Sequence, residues 1–142
     1  MLVRLLYASR PTASADAKGI DRILEQSRRK NPAIGVTGLL CIAQNIFLQV
    51  IEGGRDEVCE LFNNIVRDDR HEQVRLLLYE EIGERRFGSW TMGQVNVDRL
   101  HPSVLLKYFR RAELNPFECS GQASLSLLAE LIDTAAINMR GE

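Results

Sequence analysis

Hydrophobic and polar positions alternate with a period of two in several stretches of the chain, which is typical of β-strands. In the first stretch Val3, Leu5 and Tyr7 share one face of the predicted strand. Two later stretches are joined only by Gln44 and Asn45, a connection short enough to favour a tight antiparallel hairpin. The pattern predicts five strands, over residues 2–8, 36–43, 46–52, 74–82 and 90–95.

Apolar residues recur at helical spacing in two segments between these strands. Ile20 and Ile23 belong to a predicted helix over 16–31, which Pro32 ends because proline disfavours helical geometry in the residue before it. A second amphipathic helix ends near Arg67. Its apolar positions follow the i, i+3, i+4, i+7 pattern: Val58, Leu61, Phe62 and Ile65. The order βαββαββ predicts an α+β fold, with two helices on one face of an antiparallel-rich sheet.

From residue 98 onward the apolar pattern becomes helical. A short stripe covers 104–109, and a longer stripe follows at Leu125, Leu128, Leu131, Ile132 and Ala135. Because the central strands carry apolar residues on both faces, we expect these helices to cover the face that the first two leave open. The 142 residues fit one globular unit, with a domain over 1–97 and a helical extension over 98–142.

Charge and cysteine content exclude several classes of function. Eighteen Lys and Arg against nineteen Asp and Glu give a net charge of -1, so no overall field favours nucleic acid or anionic lipid. We expect no membrane segment, because no apolar run reaches the length of a span. The three cysteines lack the paired spacing of a metal site, which indicates buried thiols, no bound metal and a reducing, cytoplasmic location.

Four polar residues occupy positions where the periodicity predicts core. Tyr7 and Gln49 share strand faces with apolar residues, and Ser27 and Asn31 continue the apolar stripe of the first helix. A buried amide without partners costs about 1–3 kcal/mol, so these groups require matching donors and acceptors. They can bond each other, or they can bond a ligand whose edge alternates donors and acceptors. A flavin ring has such an edge.

The sequence closely resembles the BLUF family of blue-light sensors that use flavin, over roughly residues 1 to 97. The order and spacing of the matching segments are far more specific than any one of them. The segments are LLYAS at 5–9, SRRKN at 27–31, GVTGLL at 35–40, FLQVIEG at 47–53, RDDRH at 67–71 and FGSWTM at 87–92.

The resemblance implies a ferredoxin-like fold that holds a flavin between the two helices, as a light sensor and not as an enzyme. FAD is the expected cofactor, with FMN as the alternative. Asn31 would hold the pyrimidine edge of the ring, and Ile23 and Ile65 would cover its faces. Arg70 and His71 would lie near the ribityl and phosphate end. The implied cofactor-binding residues are Tyr7, Ile23, Ser27, Asn31, Leu40, Gln49, Ile65, Arg70 and His71.

The implied photoactive residues are Tyr7, Gln49, Trp90 and Met92. In the family mechanism an electron and then a proton leave Tyr7, and the Gln49 amide is left rearranged between Tyr7 and the flavin. Trp90 and Met92 are two residues apart, so they are predicted to share a face of the fifth strand. Either can lie beside Gln49 and transmit the change, although both can also be plain core residues.

Two other classes of function remain open at this point. A ligand-free interaction module would use the C-terminal helices while its buried polar residues bond one another. An acylphosphatase-type hydrolase would use Arg10 and Asn31, but the sequence after the first strand lacks a glycine-rich anion loop. For the sensor we expect an unidentified downstream protein partner. The resemblance also implies a homo-oligomer, because short proteins of this family commonly form oligomers, and the apolar stripes of the terminal helices offer surface for self-association.

Overall fold

The computed structural model describes residues 1–13, 17–43 and 45–133. Its five strands are β1 Leu2–Pro11, β2 Thr37–Ala43, β3 Ile46–Gly54, β4 His71–Ile82 and β5 Gly93–Asn96. Its four α-helices are α1 Ala17–Lys30, α2 Arg55–Arg67, α3 Pro102–Leu106 and α4 Gly121–Leu131. The predicted order of elements is therefore confirmed, although positions 16, 44 and 135 of the predicted elements lie outside the described residues.

The strands form one sheet in the order β4-β1-β3-β2-β5. The pairs β4–β1, β1–β3 and β3–β2 are antiparallel, and β5 lies parallel to β2. This α+β arrangement confirms the ferredoxin-like prediction. In the central β1–β3 pair Tyr7 lies opposite Gln49, and across the β2–β3 pair Gln49 lies opposite Leu40. The pairing thus brings a phenol and an amide from distant parts of the chain to one place.

Side chains alternate between two faces of this sheet. The cavity face lies toward α1 and α2, and its cluster includes Val3, Leu5, Tyr7, Phe47 and Met92. The closed face lies toward the C-terminal segment, and its cluster includes Leu6, Leu39, Leu48, Leu127 and Leu128. The C-terminal helices therefore cover the face that α1 and α2 leave open, as predicted.

The long stripe of α4 is used inside the molecule. Leu125, Leu128 and Leu131 are buried in the cluster of the closed face. The argument that this stripe offers surface for self-association is therefore wrong, because its apolar side chains already pack on the chain's own sheet. Ala135, the last member of the predicted stripe, lies outside the described residues.

Several strand boundaries differ from the alternation pattern, among them the end of β1, which continues to Pro11. Strand β4 begins at His71, three residues before its predicted start, and Gln73 in it has a left-handed backbone with φ +51°. Strand β5 begins only at Gly93, so Trp90 and Met92 belong to the irregular connection that precedes it. Within residues 1–13, 17–43 and 45–133, no helix is long and apolar enough to cross a bilayer.

Candidate functional site

A cavity of about 600 Å³ lies between α1, α2 and the sheet. We call it the interhelical cavity. It collects residues from α1, β1, β3, α2 and the start of β4, which explains why its members are far apart in sequence. Eight of the nine predicted cofactor-binding residues line it, namely Tyr7, Ile23, Ser27, Asn31, Gln49, Ile65, Arg70 and His71.

Tyr7, Gln49 and Met92 form a hydrogen-bonded chain beside this cavity. The Tyr7 hydroxyl donates to Gln49 Oε1, and Gln49 Nε2 donates to Met92 Sδ at 3.2 Å. Burial, followed by the negative charge of Asp68, raises the pKa of Tyr7 far above the ordinary value of a phenol. Tyr7 therefore remains a neutral hydrogen-bond donor to Gln49 at all physiological pH values.

The side-chain amide of Asn31 has a hydrogen-bond donor that is not used by any described residue. The residue is only 3% exposed, and its Nδ2 has no hydrogen-bond partner among the residues that the structure describes. Its main chain is held firmly, because Asn31 O accepts hydrogen bonds from Ile34 N at 3.2 Å and Val36 N at 2.8 Å. A fixed, buried and unpaired amide beside a cavity fits a ligand with hydrogen-bond acceptors, such as the edge of a flavin.

Ile23 and Ile65 supply the apolar walls of the cavity from α1 and α2, and both are half-buried. Such walls fit the faces of a flat ring. Ser27, one turn after Ile23, also lines the cavity. Leu40 is the exception among the predicted residues. It is buried next to Gln49 within the cluster of the cavity face, and it is not among the residues that line the cavity.

The far end of the cavity carries charges. Arg70 Nη2 lies 2.5 Å from Asp68 Oδ2, and this pair lowers the pKa of Asp68 and raises the pKa of Arg70. His71 shares a hydrogen bond of 2.9 Å with Ser9 Oγ, and burial lowers its pKa. Arg70 is therefore already partnered by Asp68. The family resemblance assigned Arg70 and His71 to the ribityl and phosphate end of the flavin, and it did not indicate the pairing of Arg70 with Asp68.

Further residues line the cavity that the sequence did not single out. Arg29 and Lys30, in the last turn of α1, add positive charge to its wall, and Asn64 on α2 adds an amide. Basic residues are common in the last turn of a helix, where cations are favourable, so Arg29 and Lys30 did not by themselves indicate a binding site. Asn64 directly precedes Ile65, a predicted wall of the site, and this adjacency in sequence could have indicated it.

Trp90 and Met92 do not share a face, contrary to the prediction. Met92 is buried in the cluster of the cavity face, whereas Trp90 is buried in the cluster of the closed face. The period-two rule fails here because both residues precede β5, in an irregular connection over 83–92. Met92 is the one that contacts Gln49.

Glu52 anchors the start of this connection and was missed by the sequence reasoning. Its carboxylate is fully buried and accepts hydrogen bonds from Phe87 N at 2.6 Å and Arg86 N at 3.0 Å. It also pairs with Arg4 at 2.8 Å, directly across the β1–β3 pair. A carboxylate within an apolar strand, with an arginine at a matching position of another, was the signal in the sequence.

Comparison with known proteins decides the family. The model of the BLUF family, described as sensors of blue-light using FAD, matches residues 2–93. The chain belongs to the BLUF family. Among solved structures, "BlsA photo-activated state" superimposes with a TM-score of 0.86 at 30% identity, covering 98% of this chain and 100% of that one. The BLUF protein BlrB in its dark state gives a TM-score of 0.77 at 32% identity, covering 92% and 94%.

A curated BLUF relative is much longer than this chain. The photoactivated adenylate cyclase subunit alpha of Euglena gracilis is 31% identical over 115 residues, which are 78% of this chain and 11% of the cyclase subunit. The chain thus spans about a tenth of that relative, and no cyclase activity follows from the match. The structures of BlsA and BlrB, in contrast, are matched along nearly their whole length. The chain therefore holds a flavin-binding domain for blue-light sensing.

The two competing hypotheses are therefore wrong. A ligand-free module is incompatible with membership of a flavin-binding family. The hydrolase hypothesis required Arg10 and Asn31 in one site, but Arg10 is held by Gln73 Oε1 at 3.0 Å and lies over the Phe117 ring. It is not among the residues that line the interhelical cavity with Asn31.

Proposed function

We propose that the BLUF protein senses light through the hydrogen-bonded chain Tyr7–Gln49–Met92 at the wall of the interhelical cavity. One observation carries this proposal. The two ends of the Gln49 amide have different partners, a phenol at Oε1 and a thioether at Nε2. An amide that turns over or changes tautomer therefore alters both contacts at once. Its low-dielectric surroundings make that difference energetically significant.

We further propose FAD as the cofactor, in agreement with the description of the family. The flavin, when bound, absorbs blue light and becomes an electron acceptor. Asn31 Nδ2 would donate to its polar edge, and Ile23 and Ile65 would cover its ring. Arg29, Lys30 and Arg70 would meet its phosphates, for which Arg70 must exchange its bond to Asp68.

Tyr7 and Gln49 have the chemistry that this role requires. A neutral, buried phenol can release an electron and then a proton, and its proton lies on a hydrogen bond to Gln49 Oε1. After the proton returns, the amide is left with different hydrogen bonds. Met92, whose sulfur accepts from Gln49 Nε2, would be the first residue outside the site to respond.

The signal would then pass to the C-terminal segment through β5, which Met92 directly precedes. We propose an unidentified downstream protein as the receiver, and self-association of the chain. We also propose a cytoplasmic location, because Cys41, Cys59 and Cys119 are all free thiols. Light scattering in the dark and under blue light would test the assembly state.

The decisive experiment is an absorption spectrum before and after blue light. The purified protein should be yellow, and its flavin band should shift to longer wavelength and recover in the dark. Tyr7→Phe should keep the flavin and lose the shift, because it removes the hydroxyl that contacts Gln49. Tyr79→Phe is the matched control, since Tyr79 is exposed on β4 and does not line the cavity.

A normal shift in Tyr7→Phe would contradict the role of Tyr7. A protein that neither retains nor takes up flavin would contradict the whole proposal. Heat release of the cofactor followed by chromatography distinguishes FAD from FMN, and the appearance of FMN alone would overturn the choice of FAD.

A further inference from the structure

The main chain of Met92 is held by a side chain of α1. Arg28 Nε donates a hydrogen bond to Met92 O at 3.2 Å. The residue before it, Ser27, lines the interhelical cavity. Through adjacent residues, α1 therefore contacts both the cofactor region and the backbone of the residue that contacts Gln49.

The side chain of Met92 is held by a different element and more weakly. Gln49 on β3 donates Nε2 to Met92 Sδ, and a thioether sulfur is a weak acceptor. The bond from Arg28 to the carbonyl is charge-assisted, a class that is roughly twice as strong as neutral hydrogen bonds. Met92 is thus fixed mainly through its main chain, and its contact with Gln49 is the one that is easily lost.

The rest of the 83–92 connection is tied to the sheet. Glu52 accepts from Phe87 N, and Arg85 Nη2 donates to Gly35 O at 2.6 Å. Farther along, Gly38 N donates to Trp90 O at 2.9 Å. The start and the middle of the connection are therefore anchored to β3, to β2 and to the turn before β2. Arg28 bonds the main chain at its end, where Met92 meets β5.

The guanidinium of Arg28 also has a second hydrogen-bond donor, Nη2, which is not used among the described residues. Nη2 is buried and has no hydrogen-bond partner within residues 1–13, 17–43 and 45–133. A buried donor without a partner is unfavourable and rare in folded proteins. Nη2 belongs to the same guanidinium as Nε, which binds Met92 O. It can therefore donate to this carbonyl if the Met92 backbone moves to a second position.

We propose that Arg28 is a positioning residue of this light sensor, which holds the Met92 backbone in the dark and retains it in a shifted position in the light. If the two ends of the Gln49 amide exchange, Nε2 leaves Met92 Sδ and the side-chain contact is lost. The end of the connection then moves while Arg28 retains it, with Nη2 as the second donor. This inference rests on the proposed function of Tyr7 and Gln49.

Trp90 provides the readout, because it is the single tryptophan of the chain and lies two residues before Met92. Illumination of the wild-type holoprotein should change the fluorescence of Trp90. Arg28→Met should retain the flavin and its red shift but lose most of that fluorescence change. Its dark recovery should change about tenfold, the effect of one charge-assisted hydrogen bond on a barrier. Arg28→Lys, which keeps a cationic donor, should restore part of both signals.

Arg22→Met is the matched control, since Arg22 is exposed on the same helix and the change removes the same charge. It should behave as wild type. An Arg28→Met protein with the fluorescence change and dark recovery of the wild type would overturn the inference. A wild-type protein whose Trp90 fluorescence does not change on illumination would overturn it as well. If Arg28→Met does not retain flavin, the Arg28→Lys variant decides by the same two signals. A wild-type protein without any red shift would instead contradict the proposed function.

Discussion

The cavity face and the closed face of the sheet are built from alternate residues of the same strands, yet they differ in kind. On the closed face Leu6, Leu39 and Leu48 pack against Leu127 and Leu128. On the cavity face, Tyr7, Gln49 and Asn31 are buried as well but keep polar groups beside an open cavity. The leucines named on the closed face pack against one another, whereas the polar groups of the cavity face lie beside a space that fits a ligand.

The two faces serve two different requirements of a small domain, which are stability and ligand binding. The closed face buries apolar surface, which is the main favourable term in folding. The cavity face keeps polar groups at fixed positions without filling the space between them, and that arrangement favours binding over stability. Substitutions on the closed face should therefore change the free energy of unfolding, whereas those on the cavity face should change flavin binding and photochemistry.

The largest effect should come from the closed face. Leu128 is fully buried in α4, so Leu128→Ala should lower the free energy of unfolding by about 2–5 kcal/mol through lost burial and a residual cavity. Urea unfolding measures this loss. The flavin red shift of the folded fraction should be unchanged. Leu106→Ala on α3, at a residue that is 54% exposed, is the control and should stay within about 0.5 kcal/mol. Equal losses in both variants would contradict the assignment of the C-terminal helices to the core.

The next effect should appear on the cavity face and in binding. Asn31→Leu replaces a buried amide, whose Nδ2 has no partner within the described residues, by an apolar group of similar shape. It should leave the stability of the flavin-free protein unchanged or raised. It should weaken flavin binding by about 1–3 kcal/mol, or roughly fivefold to 150-fold in Kd, because the bond to the ring is lost. Titration of the flavin-free protein by fluorescence quenching gives Kd. Unchanged affinity would remove Asn31 from the binding site.

Much of the fold could be predicted from alternation and helical spacing. The face shared by Val3, Leu5 and Tyr7 is the one observed, and the second apolar stripe predicted α2 to its last residue, Arg67. The method failed at 83–92, where no period exists. There the conformation depends on tertiary contacts such as the Glu52 carboxylate, which a local pattern cannot show.

Eight of the nine predicted cofactor-binding residues line the interhelical cavity, but the contacts among the side chains of this region were not predictable. Periodicity placed Tyr7 and Gln49 each on the apolar face of its own strand and Asn31 on the apolar stripe of the first helix, and the family resemblance assigned their roles. The bond from Arg28 to Met92 O and the pair of Asp68 with Arg70 depend on where long, flexible side chains end. Sequence spacing does not determine such endpoints, so these contacts had to come from the structure.

A smaller effect should appear as pH dependence of the closed face. Burial there raises the pKa of the Cys41 thiol to about 12, against roughly 8.5 in an unfolded chain. The folded state then keeps a proton that the unfolded state releases, so this contribution is complete below pH 8.5 and is lost as pH rises toward 12. Between pH 8 and 10 the unfolding free energy should fall by about 1–2 kcal/mol from this group. Cys41→Ala should show a shallower fall in urea unfolding; an identical slope would mean that the thiol is not buried.

The smallest effect should come from polar contacts on the outer surface of the cavity side. Arg55 at the start of α2 pairs with Glu81 on β4 at 2.6 Å, with the two side chains 48% and 60% exposed. Solvent screens such a pair, so Glu81→Gln should lower the unfolding free energy by only about 0.3 kcal/mol, and added salt should remove the difference. Urea unfolding at low and high salt measures both. A loss above about 1 kcal/mol would mean that surface charge stabilises α2 on the sheet, in which case the closed face would not be the main source of stability.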